Sequence, residues 1–272
     1  MRQSFRNGVE RMLLWDEKTK WSEGVNEYGV AILNSATAVK KDEKEVNTSD
    51  DDGDHVFYSP DGKIARQILF EKTVDDALNK AIELELIGNS LIFSKDKAYL
   101  LEGAFADSQT LQNTKTKDDY QYKYKEIAKD KTAYRTNHGV WIDHAGYQFG
   151  RNEHHDLARE SSEARFKQVE KDIKLVDNAQ DMLDCISNTE NKNPQLNPLR
   201  LSKSHGKTIL VTTGQIMLIP SENTLYYRPI WCNVKFNFDK IDSQKTKTFF
   251  QIVSSRKILG ETFKEYYENI MR

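Results

Sequence analysis

A layered α+β domain is the fold that the 272-residue sequence predicts, and three observations carry that expectation. β-compatible runs come in pairs near the start, in the middle and late in the chain, and stretches with helical period separate them. A hydrophobic fraction of 38% with 10% aromatics can build a real core. No repeat, low-complexity linker or clean boundary divides the chain, so residues 1–272 read as one domain.

In order, "GVERMLLWDEKTKW" from Gly8 carries β-compatible residues up to a charged turn at Asp16 to Lys20. "GVAILNSATAV" (Gly29 to Val39) is a near-continuous apolar run, the pattern of a strand buried on both faces. From Lys40 to Gly62 the chain turns polar. Its "SDDDGD" (Ser49 to Asp54) invites comparison with a calcium loop, but the glutamate at the twelfth loop position and flanking amphipathic helices are missing, and a solvated excursion is the expectation. Thr73 with Asp76 can cap a helix whose apolar stripe is Val74, Leu78, Ala81 and Ile82. "NSLIFSKDKAYLLEG" (Asn89 to Gly103) reads as a hairpin turning at Lys95 to Lys97. Tyr120, Tyr122 and Tyr124 alternate with Gln121, Lys123 and Lys125. That alternation could stack and neutralise single-stranded nucleic acid, or form an edge strand with lysines toward solvent, and the edge strand is favoured. From Ser161, Phe166, Val169, Ile173 and Val176 repeat at helical steps. Asp177-Asn178 then interrupts, and "AQDMLDCI" begins a second short helix. Asn191 to Arg200 is a Pro/Asn loop. "KTILVTTGQIMLIP" and "LYYRPIWCNV" form a second hairpin around "SENT", and "ETFKEYYENI" closes the chain as a helix.

Composition narrows the function classes. Forty Lys+Arg against forty-two Asp+Glu give a net charge of −2, without the basic excess that nonspecific nucleic-acid binding requires. No apolar run approaches the about 20 residues of a membrane span, and "MRQSFRNGVERMLLW" has no apolar signal-peptide region. A cytoplasmic protein with no membrane partner is expected. Cys185 and Cys232 lack the spacing of a disulfide framework or a metal or redox site, and read as buried thiols.

The segment Ala133 to Phe166 concentrates four His, two Asn and four Arg. His138, His144, His154 and His155, with Asp156, offer metal ligands, but no pair has the i, i+4 spacing of a helical site. A solvated loop with scattered histidines is expected, with no metal and no cofactor. Taken alone, Asn137 could cap a strand end, and Arg165 could be a first-turn helix residue paired to Glu163 or Asp156.

The order of motifs adds another reading. "VNEYGVAILNSA", a helix followed by "GNSLIFSKDKAYLLEG", then "YRTNHG", "SSEARF" opening a helix, and "TTGQIMLIPSENTLYY" together resemble the N-terminal-nucleophile (Ntn) hydrolases. The likeness is to the branch of choloylglycine hydrolases, penicillin V acylase and acyl-coenzyme A:6-aminopenicillanate acyltransferases, over about Val25 to Tyr227. It implies a four-layer αββα sandwich, with two stacked antiparallel sheets between helices. It also implies attack on a non-peptide N-acyl amide by the first residue of the mature chain, whose own α-amine is the base, through a covalent acyl-enzyme. The resemblance makes Asn137 a side-chain oxyanion donor and Asn34 a second donor. It makes Arg165 a fixed positive charge favouring thiolate and oxyanion. His138 and Asn26 fall on the substrate side, Asn26 chiefly as former of the Asn-Glu-x-Gly turn.

The same resemblance requires a Cys, Ser or Thr at the mature N-terminus and an Arg-Asp element before the strand near Gly8. Met1 to Asn7 holds neither that strand nor that element, Ser4 sits too close to the next strand, and both cysteines are internal. No nucleophile is assigned. The expectation is therefore an Ntn-type amidohydrolase or acyltransferase lacking its first strand or strands, truncated or inactive, with a small-molecule acyl amide as ligand. Without that nucleophile, no turnover of N-acyl amides is expected from the sequence as it stands. A noncatalytic ligand-binding or scaffold protein of the same fold is the alternative, and a nucleic-acid-binding module at Tyr120 to Arg135 is third. Homo-oligomerisation stays open.

Overall fold

The computed structural model describes residues 2–6, 9–15, 21–35, 61–105, 120–142, 153–193, 196–199, 214–222, 224–229 and 250–253. Among them is a seven-stranded antiparallel sheet in which every strand lies beside its neighbours in the chain. Its strands are β1 (Arg2–Arg6), β2 (Val9–Trp15), β3 (Ser22–Asn26), β4 (Ala31–Ser35), β5 (Gly88–Phe93), β6 (Ala98–Phe105) and β7 (Tyr120–Ile127). β1 adds a strand where the sequence reading expected none.

Alternation along the strands sorts side chains onto two faces. Leu13, Ile32, Ile92 and Leu101 bury one face against α1 (Asp61–Ile68) and α2 (Val74–Glu83), meeting Ala65, Ile68, Ala77, Leu78 and Ala81. Met12, Val25 and Ala31 occupy the opposite face. There they share a buried cluster with Leu218 of β8 (Gly214–Ile219) and Leu225 of β9 (Thr224–Pro229). β8, β9 and β10 (Phe250–Val253) form a three-stranded antiparallel sheet. The apolar run from Gly29 thus does contain a strand buried on both sides: Ala31 and Ile32 are both fully enclosed yet belong to different clusters.

Local chemistry explains the ends of these elements. Thr73 Oγ1 accepts the Asp76 N–H at 3.1 Å to start α2, and Asp75 and Asp76 complement the positive end of the helix. At its other end, Leu86 N–H reaches Ala81 O at 2.9 Å, and Glu85 adopts a φ of 60°. Asn26 closes the β3–β4 hairpin. Its Oδ1 accepts from Tyr28 and Val30 N–H, while its Nδ2 donates to Leu69 O and Glu71 O, tying the turn to the α1–α2 connection. Gly29 supplies the left-handed φ of 75° that the turn requires. The hairpin of β5 and β6 turns at Ser94 to Lys97, where Ser94 N–H donates to Lys97 O at 2.7 Å.

Among the described residues β7 is an edge strand, with Lys123 and Lys125 exposed as expected, although Tyr124 between them is exposed as well. α3 (Glu153–Asp172) runs on through a 3-10 turn at Ile173–Leu175, and α4 (Ala179–Ile186) follows. The break falls where expected, with Asn178 Oδ1 capping the Asp181 N–H at 3.1 Å. Two expectations are corrected here. SSEARF does not open a helix, because α3 has already run from Glu153, and His154, His155 and Asp156 belong to that helix rather than to a loop. The turn at Asp16 to Lys20, the polar stretch from Lys40 to residue 60, His144, Cys232 and the C-terminal helix lie outside the described residues. Among those described, no helix is long and apolar enough to cross a membrane.

Candidate functional site

The face of the sheet turned away from α1 and α2 carries a polar row. Register pairs Ser35 with Asn89, Asn89 with Glu102, and Glu102 with Lys123, so four adjacent strands present one polar side chain each to the same side. The segment Tyr134 to Ile142 lies across this row. Ser35 Oγ donates to Thr136 O at 3.0 Å, and Asn89 Nδ2 donates into the same segment. The Glu102 carboxylate accepts the N–H groups of Val140, Trp141 and Ile142 at 2.9 to 3.1 Å. Lys123 Nζ donates to Trp141 O at 2.6 Å.

Glu102 has no exposed surface. A buried carboxylate is tolerable only when its lone pairs are met, and three successive backbone donors meet them. The Arg135 Nε lies 3.8 Å from Glu102 Oε2, with its guanidinium 4.3 Å over the Trp141 ring. Burial lowers the Arg135 pKa and the charge of Glu102 opposes that shift.

α3 closes the segment from the other side. Ser162 Oγ accepts the Asn137 N–H at 2.7 Å and lies 2.9 Å from His138 Nδ1, while Thr136 Oγ1 donates to Ser162 O at 3.0 Å. One turn along, Arg165 Nη2 donates to Asn137 Oδ1 at 2.9 Å, and Arg165 Nε donates to Ser161 O at 3.1 Å. Asn137 Nδ2 in turn donates to Ser35 Oγ at 2.9 Å. Phe166 packs against Tyr134 and the His138 ring, with centroids 4.7 and 5.3 Å away. Asn137, Arg165 and His138 therefore meet in one place, on a sheet row that includes Ser35.

Asn34 does not join them through its side chain. Alternation along β4 puts that side chain on the face of Ile32, toward the helices, while Ser35 faces Asn137. Asn34 is 8% exposed, and among the described residues neither its Oδ1 nor its Nδ2 has a hydrogen-bond partner. Its backbone N–H lies beyond the last paired residues of β3 and β4, Gly24 and Ile32, and donates to Glu23 Oε1 at 3.3 Å. Burial pushes the Glu23 carboxyl up to about 7, against the opposing hydrogen bonds from Asn34 N–H and the Trp21 side chain. Asn26 sits at the other end of the β3–β4 hairpin from Ser35, with its amide committed to the turn.

Sequence pattern does not single out Ser35, Asn89, Glu102 or Ser162 as members of this site. The one visible signal was a lone carboxylate in the apolar run "AYLLEG". Among the described residues, no group of three or more His, Cys, Asp or Glu side chains could hold a metal ion. Cys185 on α4 is a buried thiol whose pKa is raised by burial and then by the charge of Asp172.

Within the cluster, Arg165 and Asn137 are joined to each other and to Ser161 and Ser35. A guanidinium bonded to Asn137 Oδ1 withdraws electron density through the amide and makes its N–H groups better donors. No protein-family model matches the chain, and no curated protein matches it.

Proposed function

We propose that this chain is an Ntn-type amidohydrolase or acyltransferase relative, acting in the cytoplasm, that binds a non-peptide N-acyl amide with its carbonyl oxygen at Asn137. The observation that carries the reading is the 2.9 Å hydrogen bond from Arg165 to Asn137 Oδ1. The two motifs that the resemblance assigned to oxyanion stabilisation are joined directly, across 28 residues of sequence. Donors aimed at a developing oxyanion contribute about 3 to 4 kcal/mol each when judged by deletion. The four-layer αββα sandwich belongs to the same proposal, and the cluster shared by Met12, Val25, Ala31, Leu218 and Leu225 supports it. Covalent attack is the part of a Cys, Ser or Thr that uses its own α-amine as base. Cys185, a core thiol with a raised pKa, does not suit that part.

A second reading is a noncatalytic binding or scaffold protein. It is favoured by the engagement of both ends of the Asn137 amide inside the protein, by Arg165 and by Ser35. Calorimetric titration with N-acyl amides of graded acyl length, run beside assays for released amine, separates the two. The amide-site proposal expects Asn137→Ala and Arg165→Ala each to weaken binding about tenfold or more while leaving the fold intact. Affinity that is unchanged in both variants, or absent from the wild-type chain across the panel, would leave the scaffold reading.

A further inference from the structure

Asn89 is 2% exposed and stands second in the polar row. Its Nδ2 donates to two carbonyls, Thr136 O and His138 O, each at 2.9 Å. These belong to the residues immediately before and after Asn137, so one planar amide bridges the backbone on both sides of it. The Asn137 N–H is held separately by Ser162 Oγ. With the peptide before Asn137 held at both its carbonyl and its N–H, and His138 O held beyond it, rotation about φ at residue 137 would break at least one of three short hydrogen bonds. The direction of the Asn137 Cα–Cβ bond is thereby set from β5, before its side chain meets Arg165 or Ser35.

The orientation of the Asn89 amide follows from its surroundings. Exchanging its oxygen and nitrogen would press an acceptor against two carbonyl oxygens. As oriented, Oδ1 is buried and has no hydrogen-bond partner among the described residues. An unsatisfied acceptor is a cost, and here it accompanies the use of both hydrogens on the segment that carries Asn137.

We propose that Asn89 is a positioning residue that presets the backbone at Asn137, and through it the aim of the Asn137 amide at a ligand carbonyl. The ligand half of this statement rests on the amide-site reading above; the backbone half does not.

The test uses Asn89→Leu, which keeps side-chain volume and removes both donors, with Ser90→Ala as control. Ser90 is adjacent on β5, and alternation puts its side chain on the opposite face. Amide hydrogen exchange and the NMR signals of Asn137 are read in each protein, together with affinity for N-octanoyl glycinamide. Asn89→Leu is expected to speed exchange at the Asn137 N–H about tenfold or more, to shift its side-chain amide signals, and to weaken the probe by a similar factor. Protection in β5 and β6 should persist, and Ser90→Ala should leave Asn137 unchanged. Asn137 signals and exchange in Asn89→Leu that match wild type would overturn the proposal. If that variant does not fold, the two side-chain hydrogens of Asn89 are followed in the unaltered chain. Slow exchange of both is expected, and exchange of either at the rate of a free amide overturns the assignment. Loosening of Asn137 without any probe binding by wild type would uphold the backbone role of Asn89 and remove the acyl-amide ligand.

Discussion

Glu102 and Glu23 face the same problem at the residue scale and meet it differently. Glu102, fully buried, is surrounded by three backbone N–H groups with Arg135 beside it. Glu102→Ala strands those donors and leaves the guanidinium without its counter-charge. A loss of about 3 kcal/mol or more is expected by urea unfolding, with a smaller loss for Glu102→Gln. Glu23 receives one backbone N–H at 3.3 Å, and burial dominates, so its folded pKa rises to about 7 from an ordinary 4.5. A carboxyl that holds its proton more tightly when folded contributes stability that is full below the unfolded pKa and is lost as pH rises through the folded one. The melting temperature should therefore fall between about pH 4.5 and 7 from this group, and Glu23→Gln should flatten that part of the profile. An identical slope in the variant would show that Glu23 does not titrate there.

At the scale of elements, what the sequence made legible was what local chemistry controls. Thr73 with Asp76 marks the start of α2, and Asn178 marks the break before α4, because a cap needs only a side-chain oxygen and a nearby N–H. The start of α3 was hidden because Glu153 to Glu160 carries charges and histidines without an apolar period. Motif order points to Asn34 but does not say which of two neighbouring strand residues faces which way, and it is Ser35 that meets Asn137. The end of α2 offers a direct check. Glu85 occupies the left-handed region at φ 60°, where a side chain is disfavoured and glycine is not. Glu85→Gly should stabilise the protein by about 0.5 to 1 kcal/mol, and thermal denaturation showing a loss would mean that Glu85 makes a contact worth more than the strain.

For the whole molecule, the seven-stranded meander and the site differ in how far apart along the chain their partners lie. The strand pairs β1 to β4 and β5 to β7 join neighbours in sequence, so alternation and turn residues could reveal them. The site depends on Ser35 meeting Thr136 and Asn137 across 101 and 102 residues. No periodicity records such a meeting, and only the likeness of motif order hinted at part of it.

That same separation sets an order of events in time. The hairpins β1 to β4 and the hairpin of β5 and β6 each close a short loop, whereas β4 meets β5 only across α1 and α2, and docking Tyr134 to Ile142 between the polar row and α3 must wait until β4, β5 and β6 are side by side. The site is then the last part to form and the first to let go. In stopped-flow experiments Ser35→Ala and Asn137→Ala should speed unfolding and leave the refolding rate nearly untouched, while Ile32→Val in the helix-facing core should slow refolding. Slowed refolding by Ser35→Ala would place the row in the folding nucleus instead.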